Sequence, residues 1–288
     1  INEAIEEACG IQNLVVTLPE SRNDLLTEII NHPDVALVVA TGGRKMMSHV
    51  LCSPKRVIAG GPANPVAIVD ETADLAKAAK DISDGASFDN NIMCISEKCI
   101  VAVESIVPAF VKQLEENGVY YIDNETEMLQ LTKTVLNHDM KMVRKMEGKS
   151  AMDILEEAGI HPNRPVRLVV VRTFAKHPLV LEECLMPVVP LVAVADFEEA
   201  LETALFTEQG YRHTAMVHSQ CIDRLSKAAK IMNTTVFIKN GSSLAGIGLN
   251  GEEMASFTIA NVTGEGITTA RDFACKRSCT LTSGFSLR

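Results

Sequence analysis

Cys94 is the residue of this chain whose type and setting best suit covalent chemistry. It follows a polar run, Ser87-Phe88-Asp89-Asn90-Asn91, and precedes an apolar, β-like run from Cys99 to Val103. A thiol at the lip of a loop that enters a strand can reach a bound substrate. A thiol in the middle of an apolar face cannot. Such a cysteine is a nucleophile when it is partly exposed and its thiolate is favoured. The alternative is a small buried apolar residue, which cysteine commonly is. Lys98 is able to favour the thiolate, although period-two alternation at a strand start can turn it away.

Three further places carry candidate chemistry. Thr41-Gly42-Gly43 follows an apolar run and opens a helical one. Glycine lets backbone come close to a ligand, and a helix N-terminus favours anions; the competing reading is an ordinary βα turn. Arg44 and Lys45 add positive charge beside it. Glu183 stands before Cys184-Leu185-Met186-Pro187, and a carboxylate there can accept from two hydroxyls. Glu182 competes for that role, and a solvated helix-end acid is the plain alternative. His213 and His218 bracket a short apolar run. His213 either contacts a ligand or is a satisfied structural histidine.

The run Gly85-Ala86-Ser87-Phe88-Asp89-Asn90-Asn91-Ile92-Met93-Cys94-Ile95-Ser96-Glu97-Lys98 resembles the active-site segment of coenzyme A-acylating aldehyde dehydrogenases. The similarity is greatest to the bacterial-microcompartment type of ethanolamine and propanediol breakdown. It continues through Val39-Ala40-Thr41-Gly42-Gly43, Ile68 to Leu75, Leu185 to Pro190, His213 to Ser219, Phe237 to Gly241, Thr263-Gly264-Glu265-Gly266 and the ending Cys279 to Arg288. The resemblance implies an α/β chain of the aldehyde dehydrogenase fold, a partial Rossmann-like domain followed by an α/β catalytic domain. It implies NAD-dependent oxidation of a short aldehyde, acetaldehyde or propionaldehyde, to its acyl-coenzyme A. Cys94 is then the nucleophile, passing through a thiohemiacetal and a thioester. Thr41, Gly42 and Gly43 lie under the nicotinamide end of NAD. Glu183 binds the adjoining ribose, and His213 is a candidate for coenzyme A or substrate.

The resemblance also implies a homo-oligomer, with microcompartment shell proteins as further partners, in the cytoplasm or inside such a compartment. Hydrolytic relatives carry a water-activating Glu where this chain has Ile58 or Ala59, so a thioester should outlast water and wait for coenzyme A. Position 44 departs from the small or acidic residue usual there. Ala63, in Gly61-Pro62-Ala63-Asn64, replaces a glycine. A hydrolytic or phosphorylating member of the superfamily, or an inactive fragment serving in assembly, are the rival readings.

Positioning these residues falls to an alternation of helix and strand. Strands are expected at Leu14–Leu18, 35–40, 56–59, 66–69, 99–103, 120–122, 167–171, 188–195, 214–218 and 235–239. Helices are expected from 24, from 45, after Thr72 as cap, after Ser105, after Ser150, after Asp196 and over 222–232. The run 35–40 is continuous enough for a strand covered on both faces. Ser242 to Gly251 reads as a loop over a cleft, and Cys279 to Ser286 as an edge strand. The breaker cluster Gly60-Gly61-Pro62-Ala63-Asn64-Pro65 marks a boundary. Residues 1–61 are read as the C-terminal part of a nucleotide-binding domain, 62–262 as a catalytic domain, and 263–288 as a C-terminal segment with an oligomerisation strand.

Composition narrows the classes. The chain has 288 residues, 47% of them apolar, with a formal charge of −10 and no Trp. Acidity argues against nucleic-acid binding, which needs a basic stripe. No run is long enough to span a bilayer. Eight cysteines lack any C-x-x-C pair or zinc spacing, so no metal site is expected, and mostly free thiols suit a reducing compartment. Ile1, Ala4, Ile5 and Ala8 share one helical face, so the chain is expected to begin inside an amphipathic helix, as a truncated or trimmed chain would. The resemblance implies a preceding part that holds the first strands of the nucleotide domain and an Asn that helps stabilise the oxyanion.

Overall fold

A computed structural model describes residues 1–252, 254–282 and 284. The chain opens with α1 (Asn2–Cys9), stopped by Gly10 at φ 73. The expected strand over Leu14–Leu18 does not form, and Val16 is 80% exposed. An apolar, β-branched run becomes a strand only when a neighbour pairs its backbone. The described chain offers it none. Helix α2 (Asn23–Asn31) leads into β1 (Leu37–Thr41), α3 (Arg44–Leu51) and β2 (Arg56–Gly60).

β1 and β2 pair in parallel, with Thr41 opposite Gly60. They form a two-stranded sheet of their own. Ile30, Ala40, Met47, Val50 and Ala59 pack the helices onto one face. The other face is open, and Val39 is 49% exposed. Among the described residues, helices cover one side of this strand, where coverage of both was expected.

The second sheet is larger. Its elements are β3 (Val66–Val69), α4 (Leu75–Ser87), β4 (Cys99–Val103), α5 (Val107–Glu116), β5 (Val119–Ile122), α6 (Glu125–Val135) and α7 (Ala151–Glu157). They continue with β6 (Leu168–Thr173), α8 (Pro178–Leu181), β7 (Val188–Val194), α9 (Phe197–Glu208), β8 (Thr214–His218), α10 (Ile222–Met232) and β9 (Val236–Lys239). The seven strands run in the order β5-β6-β7-β4-β3-β8-β9, every pair parallel. Parallel strands need crossovers, and the helices supply them. α4 and α5 cover one face through Ala78, Ile82, Phe110 and Leu114. α9 and α10 cover the other through Phe197, Leu201, Leu225 and Ala228.

Thr72 is not the cap of α4. Asp74 is, accepting from the Lys77 N–H, while the Thr72 N–H and hydroxyl both donate to Asp70. Likewise, α5 follows a short 3-10 turn, Glu104–Ile106, instead of a Ser105 cap. The caps expected at Ser150 and Asp196 are present.

After β9 a 3-10 turn (Ser243–Ile247) precedes β10 (Ile259–Ala260), which pairs antiparallel with β11 (Gly266–Ile267). This segment knits onto β2. The Val262 N–H donates to the Ala59 carbonyl at 3.2 Å, and the Ala59 N–H to the Thr263 hydroxyl at 2.9 Å. The chain then turns through α11 (Ala270–Phe273). Of the expected strand Cys279–Ser286, residues 279–282 and 284 are not in a strand; Ser283, Phe285 and Ser286 lie outside the described residues.

Candidate active site

The strand order decides the site. β7, β4, β3 and β8 are consecutive neighbours in the large sheet. All run in parallel, so the segments entering them emerge side by side at one edge. Glu183 lies on the entry to β7, Cys94 on the entry to β4, Ala63 and Asn64 on the entry to β3, and His213 directly before β8. Open α/β sheets usually bind ligands at the C-terminal ends of their strands. Here the candidate residues gather at the opposite edge.

Cys94 is half-buried in a tight turn between α4 and β4. The turn begins with Asp89, Asn90 and Asn91 at φ 47, 50 and 61, three successive left-handed residues. Asn and Asp enter that region at less cost than other L-residues. The Asn91 amide holds the turn by donating to the carbonyls of Ala86 and Glu97 at 2.7 and 3.0 Å. The N–H groups of Lys98 and Cys99 donate to the Pro65 carbonyl, which joins the Cys94 turn to the segment entering β3. The N–H groups of Cys94 and Ile95 face the Cys94 sulfur and favour its thiolate.

Burial pushes the Cys94 thiol above its ordinary value, the Glu183 carboxylate pushes the same way, and the Lys98 ammonium pulls back. Glu183 is itself raised by burial, opposed by Lys98 and by the Ala63 N–H, which approaches Oε2 at 3.4 Å. Glu182 turns away to pair with Lys141 at 2.7 Å. That geometry separates the two adjacent acids and leaves Glu183 as the one whose charge is felt at the thiol. Ala63 is not among the residues at positive φ, so its methyl group is accommodated without strain. His213 is 1% exposed, with Nδ1 bonded to the Thr214 hydroxyl at 2.8 Å. Burial and then Lys98 push it down to about 4, so the imidazole is neutral at neutral pH.

Cys94, Glu183 and His213 thus share the electrostatic range of one ammonium, that of Lys98. Thr41-Gly42-Gly43 lies on the smaller sheet and reaches this cluster through Gly60 and residues 61–65. The Gly42 N–H donates to the Gly60 carbonyl at 3.1 Å. A Cβ on Gly42 would lie 2.8 Å from the Met46 sulfur, so a side chain there would push into α3. Gly43 caps α3 without a side-chain hydrogen bond. Beside this turn, between α2 and α3, lies a cavity of about 560 Å³ lined by Leu26, Thr27, Lys45, Met46 and His49. An apolar slot with a cation at its rim, next to an uncapped helix N-terminus, suits an aromatic base linked to phosphates. The residues present therefore fit a dinucleotide. Among the described residues no group of His, Cys, Asp and Glu is arranged to hold a metal ion.

Sequence reasoning did not anticipate the parts that shape this site: the carbonyl of Pro65, the N–H of Ala63 and the side chain of Asn91. The run Asp89-Asn90-Asn91 was the one local signal, because such residues gather where left-handed backbone is needed. The position expected to hold a water-activating acid in hydrolytic enzymes is apolar here, and Ile58 and Ala59 are fully buried.

A profile of the aldehyde dehydrogenase family matches residues 1–249. The chain is similar to the CoA-propanoylating propanal dehydrogenase of Salmonella typhimurium, 44% identical over 290 residues, covering 100% of this chain and 62% of that protein. Among solved structures it is similar to Rhodopseudomonas palustris propionaldehyde dehydrogenase with bound CoA and an acylated cysteine. The TM-score is 0.93 at 40% identity, covering 97% of this chain and 64% of that one. It is also similar to a propionaldehyde dehydrogenase from the Clostridium phytofermentans fucose-utilisation microcompartment, with TM-score 0.94, 37% identity, and 100% and 66% of the two chains covered. The chain therefore spans less than two thirds of the length of each of these proteins.

Proposed function

Because this chain belongs to the aldehyde dehydrogenase family, we propose that it carries the thiol half of a CoA-acylating aldehyde dehydrogenase, acting on propionaldehyde or acetaldehyde. The observation that carries this reading is the half-buried Cys94 sulfur faced by two N–H groups at the edge where four strand entries meet. The Cys94 thiolate attacks the aldehyde carbon, giving a thiohemiacetal. The charge that develops on oxygen needs N–H donors, and the Cys94 N–H is the candidate on this chain. NAD, held by Thr41, Gly42, Gly43 and Glu183, would supply the hydride acceptor needed for the adduct to become a thioester. The thiol of coenzyme A then takes the acyl group by exchange, releasing Cys94. Relatives described as CoA-propanoylating, and a neighbour with bound CoA and an acylated cysteine, support this assignment.

In this reading Thr41, Gly42 and Gly43 carry the backbone that approaches the dinucleotide, and the slot lined by Leu26, Met46 and His49 receives its base. Glu183 accepts from the ribose hydroxyls. His213 stays a neutral group bordering the site, its Nδ1 committed to Thr214. Residues 1–61 serve the nucleotide, 62–262 the chemistry, and 263–288 assembly. A homo-oligomer, and shell proteins as neighbours inside a microcompartment, complete the proposal. The Clostridium phytofermentans neighbour supports that location. No described helix is long and apolar enough to cross a membrane.

One observation favours a second reading. Glu183 acts electrostatically on Cys94, and burial raises its carboxyl above the ordinary carboxylate value, the direction a general base needs. Water activated there would make the enzyme hydrolytic. Incubating the full-length protein with aldehyde and NAD, without CoA, separates the two. A propionyl or acetyl thioester persisting on the Cys94 peptide, read by mass spectrometry, supports acylation. Repeated turnover to free acid would establish hydrolysis instead.

A further inference from the structure

Lys98 is 2% exposed, and lysine is almost never buried unless paired. Among the described residues it has no carboxylate within ion-pair distance. Its ammonium instead donates to the Asn91 carbonyl at 2.5 Å and to the Asn91 side-chain oxygen. That choice of partner has an electrostatic consequence. A carboxylate in direct contact would cancel the cation's field, whereas a neutral amide and a carbonyl satisfy its hydrogen bonds and leave the charge to act on its surroundings. The same contact braces the left-handed residues Asp89, Asn90 and Asn91, whose backbone needs support from outside the turn.

We infer that Lys98 is the positioning residue for Cys94: its ammonium, anchored on Asn91, holds the turn that presents the thiol and supplies the cation that favours attack by its sulfur. The inference rests on the reading of Cys94 as the nucleophile. The groups that face this cation come from each packed element. Cys94 and Glu97 lie on its own turn, Glu183 and Cys184 on the entry to β7, and His213 before β8. Burial lowers Lys98 to about 8 while the acids and thiols pull it back up, so it is cationic at neutral pH. Glu183 opposes it at the sulfur, which makes Lys98 the one side chain in this group that favours the thiolate.

The test uses the full-length protein and the rate of Cys94 alkylation by iodoacetamide from pH 6 to 10, read on the Cys94 peptide. Lys98→Met removes charge and hydrogen bonds. Lys98→Gln removes the charge but keeps a side-chain N–H donor of somewhat shorter reach. In both, alkylation of Cys94 is expected to slow about tenfold at pH 7, where Lys98 is charged, and to approach the wild-type rate well above pH 8, where wild-type Lys98 is itself neutral. Labelling of the half-buried Cys221 serves as control and stays unchanged. An unchanged rate of Cys94 alkylation at pH 7 in a folded variant overturns the inference. Loss of folding in both variants assigns Lys98 to stability alone and overturns it as well. Alkylation needs no turnover, so a failure here is distinct from failure of the nucleophile assignment, which would show as aldehyde-dependent NADH formation by Cys94→Ala.

Discussion

The Ser243 hydroxyl donates to Oε2 of Glu97 at 2.8 Å, and the Ser243 N–H donates to Oε1 at 2.9 Å, across 146 residues of sequence. This pair fastens the 3-10 turn after β9 to the underside of the turn that carries Cys94. The carboxyl is fully buried, and burial drives it up to about 7, against the pull of the Ser243 N–H and hydroxyl and of Lys98.

A pH dependence of stability follows from its sign. Glu97 ordinarily titrates at 4.5 and here at about 7. The folded protein therefore holds its proton more tightly, and the stability this contributes is full below pH 4.5 and lost as pH rises to 7. Lys98 moves the other way, from 10.5 to about 8, so its contribution is full above pH 10.5 and lost as pH falls to 8. The two place a minimum between pH 7 and 8. Urea unfolding of wild type and Glu97→Gln should diverge between pH 4.5 and 7, by up to roughly 3 kcal/mol. Parallel curves would show that Glu97 is not raised.

Gly85 lies against the same carboxyl. A Cβ there would fall inside contact distance of Glu97 Oε2 and 2.5 Å from the Ser243 hydroxyl oxygen. Both oxygens are held by hydrogen bonds and cannot swing aside freely. Gly85→Ala is expected to destabilise by about 1–3 kcal/mol, despite the gain in helix propensity within α4. Chemical denaturation measures this, and a neutral or stabilising result would mean that the Glu97–Ser243 pair is loose.

Cys94→Ser keeps the volume and replaces the nucleophile. Aldehyde- and CoA-dependent NADH formation by the full-length protein should fall at least about 10³-fold, with stability changed by less than about 1 kcal/mol. A retained rate would move the nucleophile elsewhere.

Glu183→Gln removes the charge that raises the Cys94 thiol. Alkylation of Cys94 should quicken at fixed neutral pH. If Glu183 also accepts from the ribose, KM for NAD should rise about tenfold as hydrogen bonds to a charged acceptor are weakened. Faster alkylation with an unchanged KM would confine Glu183 to an electrostatic role.

Local pattern was enough to find most elements, because helix and strand each leave a period in the apolar residues. The entry of Cys94 into β4 and the turn Thr41-Gly42-Gly43 before α3 were legible for that reason. Leu14 to Leu18 carries the same kind of signal and forms no strand, since no described strand pairs with it and Val15 bonds instead to the Asn2 side chain. Thr72 illustrates a related limit. Asp70 and Asp74 competed for the roles around it, and only the packed chain chose Asp74 as the cap.

What the sequence determined by itself is therefore the alternating α/β chain and the thiol at the mouth of a strand, both properties of neighbouring residues. Tertiary structure alone decided that Glu183, Cys94, Ala63 and His213 share one edge, since that follows from the order β7-β4-β3-β8. It also turned Lys98 inward onto Asn91 and left Glu183, in place of Glu182, as the acid whose charge is felt at the sulfur. Strand order is settled by which helical faces bury which strands, and the direction of a buried charge by the acceptors that packing brings to it. Both are sums over residues far apart in the chain, and no local period encodes them.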